Sequence, residues 1–426
     1  MFPTSCNAFS FPAAVLLCLA SAPSLRAQWI PDTPPATLGV VTLAGTPEHF
    51  QVEGKDVLCG ARTTTVRVGE HLLQPVAGCT QMLLGQDVKI FGKSRKHGQE
   101  IEAAAIEVDY ARQQRVSGLA IIDALPADAH SNWTFRADGY RIRVTPATRC
   151  SFDGPLAGPD GMRTNVWVEY SGRQERDGTV VADTADFVPN TVEPLEAKIR
   201  AKWTFDPAAT TEENRQNYLS KSLVGLNAKR IPAYGDAAMQ ARVAALGARL
   251  IPAYQQALPE SDPTKIHFLF QVVDERDVRD AMTLPNGIIL VPYQVVARLR
   301  SDAQLAAVLA DNIAGALEKQ TLRQIPAAPG IVASRATLTA AGVFIPLIGL
   351  AASADHGISA AAVRHAEEQR GRVSLALMRD AGFDATEAPV AWWLLASPKD
   401  KDVQQIAMPG RARYLYQELA ATWPPA

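Results

Sequence analysis

The chain has 426 residues, 47% of them hydrophobic and 20% charged, the balance of an ordinary globular protein long enough for two folded domains. Lys plus Arg number 42 against 44 Asp plus Glu, a net charge of −2, and no long run of one sign interrupts the mixture. The electrostatic footprint of a nucleic-acid-binding protein is missing, so no nucleic-acid partner is expected.

An apolar run from Phe11 to Ala20 is followed by small residues up to Ala27. This reads as a secretory signal peptide over 1–27, cleaved near Ala27, and gives a periplasmic or secreted mature chain. Cys18 follows Leu17 where a lipoprotein signal has a small residue, so lipidation is not expected. Export leaves Cys59, Cys79 and Cys150 where disulfides can form. Two readings stay open: a Cys59–Cys79 bridge across one small sheet, or three buried free thiols. No metal-ligand spacing links the three.

From about 38 to 190, short β-type runs alternate with Gly, Pro and Asp, and no helical period is sustained. Phe50-Gln51-Val52-Glu53-Gly54 is echoed by Phe135-Arg136-Ala137-Asp138-Gly139. Val88-Lys89-Ile90-Phe91-Gly92, with Gly98 after it, is echoed by Val168-Glu169-Tyr170-Ser171-Gly172 and Gly178 at the same spacing. The echoes predict two tandem all-β units, residues 38–114 and 115–190, each a small barrel or sandwich. They resemble the small barrel repeats of exported bacterial proteins, a resemblance that assigns no activity. Asn132-Trp133-Thr134 fits a glycosylation sequon, a tripeptide that also arises by chance.

Pro189, Pro194 and the polar stretch Asp206 to Asn214 mark a linker over 191–230, after which the pattern becomes mainly α. An Ala-rich amphipathic helix begins at Ala237. β-type runs follow at Ile266 to Val273 and Ala281 to Val291, the second broken by the hairpin signal Pro285-Asn286-Gly287. A further helix, capped by Ser301 or Asp302, carries Leu305, Val308, Leu309, Ile313, Ala316 and Leu317 as one apolar stripe, with positions 311 and 315 flanking it.

Over about 234–415 this order of features resembles the M-48 family of zinc metallopeptidases. In that family a strand and hairpin precede a helix reading Asp-Glu-Leu-Ala-x-Val-Leu-Ala-His-Glu-x-x-His. Two histidines at i and i+4 on one helix face bind zinc, and the glutamate between them takes a proton from the metal-bound water. Here Asp302-Ala303-Gln304-Leu305-Ala306-Ala307-Val308-Leu309-Ala310 leads into Asp311-Asn312-Ile313-Ala314-Gly315. Asp311 can ligate a metal, but Asn312 is no general base and Gly315 offers no side chain. The family's third ligand is a glutamate in Glu-x-x-Ala-Asp before an Ala-Gly-aromatic-Asp turn. Counting back from Ala381-Gly382-Phe383-Asp384 places Glu367 there, with Arg370 and Gly371 replacing Ala-Asp. Met408-Pro409-Gly410-Arg411 resembles the family's closing His-Pro then Arg segment.

The resemblance therefore implies a multidomain chain: all-β repeats, then a mainly α zincin-like domain with a small β element over 231–426. Its catalytic motif is degenerate, Asp311 and Glu367 are the remnant metal ligands, and zinc is the metal if one is retained; no other cofactor is expected. Residues 336–354 carry no charge; Pro346 and two glycines favour a buried or lid-like helical hairpin over a membrane-associated segment. His365 reads as a surface residue, and Trp392 with Trp393 as core. The expected function is an exported peptidase homologue that binds peptides or envelope proteins without cutting them. The alternatives are an active metalloendopeptidase with a rearranged site and an adhesion module acting through the β repeats.

Overall fold

A computed structural model describes residues 33–68, 73–109, 114–126, 133–156, 158, 162–201, 233–274, 280–284, 286–324, 360–398 and 406–423. The expected signal peptide 1–27, Asn132 of the sequon, most of the expected 191–230 linker and the uncharged stretch 336–354 lie outside the described residues. Among the described residues no helix is long and apolar enough to cross a membrane.

The first half forms two small barrels. Barrel one contains β1 (Thr37–Thr46), β2 (His49–Val52), β3 (Lys55–Val68), β4 (Leu73–Ala77), β5 (Asp87–Arg95) and β6 (Glu100–Asp109). Barrel two contains β7 (Arg115–Ala124), β8 (Thr134–Ala137), β9 (Tyr140–Arg143), β10 (Arg149–Phe152), β11 (Val166–Gln174) and β12 (Val180–Pro189). In barrel one the order β2-β1-β5-β6-β3 closes through β2–β3, with β4 added on β3. Barrel two repeats it as β8-β7-β11-β12-β9, closed through β8–β9, with β10 added on β12. Each ring of five contains one parallel pair, β3–β6 and β9–β12. This is the strand order of OB-type Greek-key barrels.

The sequence echoes are hairpins and bulges with a physical cause. The β2–β3 turn sets Glu53 and Gly54 at φ 49° and 78°, and the β8–β9 turn sets Asp138 and Gly139 at 57° and 74°. Two successive left-handed residues match the twist of a two-residue hairpin, and glycine takes the second place at no steric cost. At Gly92 and Gly172 the register slips by a residue against β6 and β12. The echoed apolar residues fill equivalent places: Phe50, Val57, Val88 and Ile90 in one core, Phe135, Ile142, Val168 and Tyr170 in the other. Cys59 and Cys79 form a disulfide with Cα atoms 6.0 Å apart, and Cys150 is free and exposed. The alternative of three buried thiols is thereby overturned.

A short helix, α1 (Pro194–Arg200), occupies the start of the expected linker. The helical part then contains α2 (Ala237–Leu250), α3 (Ala253–Ala257), β13 (Leu269–Val273), β14 (Met282–Thr283), β15 (Ile288–Pro292), α4 (Tyr293–Arg298), α5 (Asp302–Leu317), α6 (Gln320–Gln324), α7 (Ala360–Asp380), α8 (Glu387–Ala396) and α9 (Gly410–Thr422). β15 is central in its sheet, parallel to β13 and antiparallel to the edge strand β14. Asp236 caps α2 and Ser301 caps α5, each side chain accepting from the backbone N–H three residues on.

α5 is buried well beyond its apolar stripe: every residue from Gln304 to Gly315 is buried, because α2, α7 and α8 surround it. Its many alanines let those neighbours close in on faces that a stripe of leucines alone would have left to solvent. Trp392 and Trp393 of α8 are core, as their apolar neighbours imply.

Candidate functional site

Two helices, α7 and α9, and the bend before β14 bring charge to the buried middle of α5. Asp311 is 1% exposed, and a carboxylate taken out of water needs charged or hydrogen-bonding partners. Arg411, at the start of α9, supplies them through Nη2, which pairs with Asp311 Oδ1. Its Nη1 lies 3.4 Å from Asp280 Oδ2, and its guanidinium lies 3.3 Å over the Trp392 ring. Arg370, on α7, places Nη1 3.8 Å from the other Asp311 oxygen. The Arg370 stem crosses directly over Gly315, where an added Cβ would sit 3.1 Å from Arg370 Cδ. The absent side chain at 315 and the long one at 370 are thus complementary in shape.

Asn312 turns the other way. Its Oδ1 accepts from Thr283 Oγ1 at 2.7 Å, and its Nδ2 donates to Val308 O at 2.9 Å. The amide ties α5 to the edge strand β14 and carries no charge with which to take a proton from a water. Glu367, one turn before Arg370 on α7, is part-buried, and its charge reaches Arg411. His365 is 80% exposed and lies beside Glu368, away from the cluster.

The electrostatics follow from this arrangement. Burial alone would push the Asp311 carboxyl up, but Arg370 and Arg411 together hold it below the usual carboxylate range. Burial pushes the Asp280 carboxyl up and the facing Asp311 charge adds to this; Arg411 and, more weakly, Arg370 oppose it without prevailing, and its pKa rises to about 6. Burial disfavours the charged form of Arg411, yet Asp311 and Asp280 more than offset this and keep its proton bound.

Barrel two fixes the helices that carry the two arginines. Arg372, two residues beyond Arg370, forks onto Asp138 at 2.7 and 2.8 Å, lies 5.0 Å over the Tyr140 ring and donates to Tyr414 Oη of α9 at 2.6 Å. One buried guanidinium therefore locks α7, α9 and the β8–β9 turn together. The same pair of elements delivers Arg370 and Arg411 to Asp311.

The residues do not fit a zinc ion. Both Asp311 oxygens face guanidinium groups, Asn312 is committed to Thr283 and Val308, and Gly315 has no donor atom. Among the described residues no group of three or more His, Cys, Asp or Glu is arranged to hold a metal. Sequence reading singled out Asp311, Asn312, Gly315 and Glu367, and Asp311 and Glu367 both face Arg411. It missed Asp280 and Thr283, and took Arg370 only as a departure from a pattern. The available signal was a pair of changes, a side chain lost at 315 and a long cation gained at 370. Compared with models of known protein families and with curated proteins, the chain matches none.

Proposed function

We propose that the chain is an exported, catalytically inactive relative of the M-48 metallopeptidases that binds peptides or envelope proteins without cleaving them. The observation that carries this reading is the cluster at the motif positions: two arginines converge on Asp311 and the Arg370 stem fills the space over Gly315. In a working zincin, zinc brings positive charge to that part of the helix, and two histidines and a glutamate bind the metal and move the proton. Here guanidinium groups supply the positive charge and no group at 312 or 315 moves a proton. The order of elements supports the family reading: a hairpin, a buried helix capped by Ser301, a later helix bearing Glu367, and a closing helix that opens with Pro409-Gly410-Arg411.

The test is metal analysis with a chelator-controlled assay on a denatured protein substrate. The purified mature chain is expected to carry far less than one zinc per molecule and to cut nothing. Near-stoichiometric zinc with chelator-sensitive cleavage would overturn the proposal. Restoring the motif with Asp311→His, Asn312→Glu and Gly315→His is expected to fail until Arg370→Ala is added, because the new histidine at 315 needs the volume that Arg370 fills. Zinc binding by the triple variant alone would count against Arg370 as the block.

A further inference from the structure

Glu318, at the C-terminal end of α5, is a buried carboxyl group held by neutral partners. It is 2% exposed, and its two oxygens lie 3.4 and 3.3 Å from the Ile121 N–H of β7, with Gln369 Nε2 of α7 3.5 Å from one of them. These contacts are long, and none of the donors is charged. Among the described residues no cation pairs with Glu318: Arg323 of α6 directs Nη1 to Leu119 O at 3.2 Å and to Gln369 Oε1 at 3.4 Å, and Lys319 turns to Glu196 of α1. A carboxylate shut away from water without a cation is costly, so this surrounding favours the neutral acid.

The acid sits on a junction. β7 pairs with β8 only from Ile122 onward, which leaves the Leu119 carbonyl and the Ile121 N–H to the helical part. Gln369 and Arg323 donate to the first, and Glu318 accepts from the second. The charged and titratable groups around Glu318 come from both sides of this junction. They are Asp138 of the β8–β9 turn, paired with Arg372 of α7; Arg323 of α6; Asp123 of β7, a buried acid paired with Arg136 of β8; and Tyr254 of α3, kept neutral by burial. Burial above all, then the charges of Asp138 and Asp123, hold the proton on Glu318 against Arg323 and the Ile121 N–H, and its carboxyl stands well above the usual range.

We propose that Glu318 is a proton-linked latch between barrel two and the helical part: the neutral acid closes the junction, and the carboxylate opens it. Opening lets water reach the Glu318 charge and releases the β7 backbone from α5 and α7, the helices that bear Asp311 and Arg370. An acid that holds its proton more tightly in the closed form than in water stabilises that form fully below its ordinary value of 4.5. Above that value the open junction gains about tenfold for each pH unit, until the closed form itself gives up the proton.

The test is hydrogen–deuterium exchange of the full chain from about pH 5 to about pH 9, read by mass spectrometry over β7 and, as an internal reference, over β6 of barrel one. Each rate is divided by the intrinsic rate at that pH, which leaves the opening equilibrium. In the wild type, protection over β7 is expected to fall by about tenfold per pH unit through part of this range, while β6 stays level. Glu318→Gln, which keeps the shape and cannot ionise, is expected to hold β7 protection level as well. A level β7 profile in the wild type would overturn the latch, whether or not the variant folds. The same decline in Glu318→Gln would assign the effect to another group, such as Asp123, and overturn it too. A decline shared equally by β6 would mean that the whole chain loosens, with no latch at this junction.

Discussion

At the scale of single residues, the cluster around Asp311 shows how buried charges keep one another ionised. Two carboxylates and two arginines share a space where any one of them left alone would be costly, because a broken buried pair exposes its partner to the full desolvation penalty. Asp280 is the member least well served. An acid whose proton is held more tightly in the fold than in the unfolded chain adds stability as pH falls, and for Asp280 that window runs from about 6 down to its ordinary value of 3.8. Above pH 6 its charge opposes folding. The wild type should therefore gain stability, relative to Asp280→Asn, as pH is lowered from 7 to 4, by no more than about 3 kcal/mol. Urea unfolding of both proteins across that range measures the difference. A constant gap, or one that widens toward alkaline pH in favour of the wild type, would show that Asp280 is held as an ordinary ion-paired carboxylate.

At the scale of elements, the two barrels hand the same hairpin position to the helical part with different results. Glu53 and Asp138 stand before the turn glycine in equivalent hairpins, and each meets an arginine of the helical part, Arg413 and Arg372. Asp138 is 1% exposed and is also bonded to Tyr170 Oη at 2.8 Å, whereas the Arg413 side chain is 42% exposed. Exposed pairs contribute little because water screens them, while a buried arginine that loses its carboxylate is left unpaired. Asp138→Ala is expected to cost about 3–5 kcal/mol and Glu53→Ala less than about 1 kcal/mol, measured by chemical denaturation. Equal costs would mean that burial does not set the value of these contacts. The hairpin turns were legible in the sequence because turn geometry restricts residue type locally: Gly54 and Gly139 announce their own backbone, as Ser301 announces its helix, whereas Gly92 and Gly172 stand inside strands and show as bulges only against their partner strands. The surroundings of α5 were not legible in this way. Alanine serves equally on a closely packed face and on an open one, so the stripe of Leu305, Val308 and Ile313 concealed neighbours on the other sides. Nor could local spacing show that Arg370 and Arg411, on two distant helices, would meet at Asp311, since long flexible cations are placed by tertiary structure.

At the scale of the whole molecule, the barrels differ in how far the helical part depends on them. Barrel one touches it through the exposed Gln417–Asp87 bond, the Glu53–Arg413 pair, the close approach of Gly85 to Tyr416 and the packing of Val40 and Leu84 on the helical core, and carries its own disulfide. Closing a loop of that length contributes about 3 kcal/mol to barrel one itself. Barrel two is joined by buried polar groups on both sides. Glu318, at the end of α5, accepts from the Ile121 N–H at 3.3 Å and its carboxyl is raised well above the usual range by burial. Gln369 donates to Leu119 O at 2.9 Å, and Arg136 bridges Asp123 to Asp380. The backbone of β7 is thus completed by side chains of α5 and α7, the helices that bear Asp311 and Arg370. A chain cut back to 115–426 should keep nearly the melting temperature of the intact helical part. Cutting further, to 191–426, strands Arg372, Gln369 and Glu318 and should lower it by roughly 10 °C, the effect of about 3–5 kcal/mol in a domain of this size. Differential scanning calorimetry of the three chains decides the matter: similar losses at both cuts would mean that barrel two is an appended module, and a large second loss would make it part of the scaffold that holds Arg370 over Gly315.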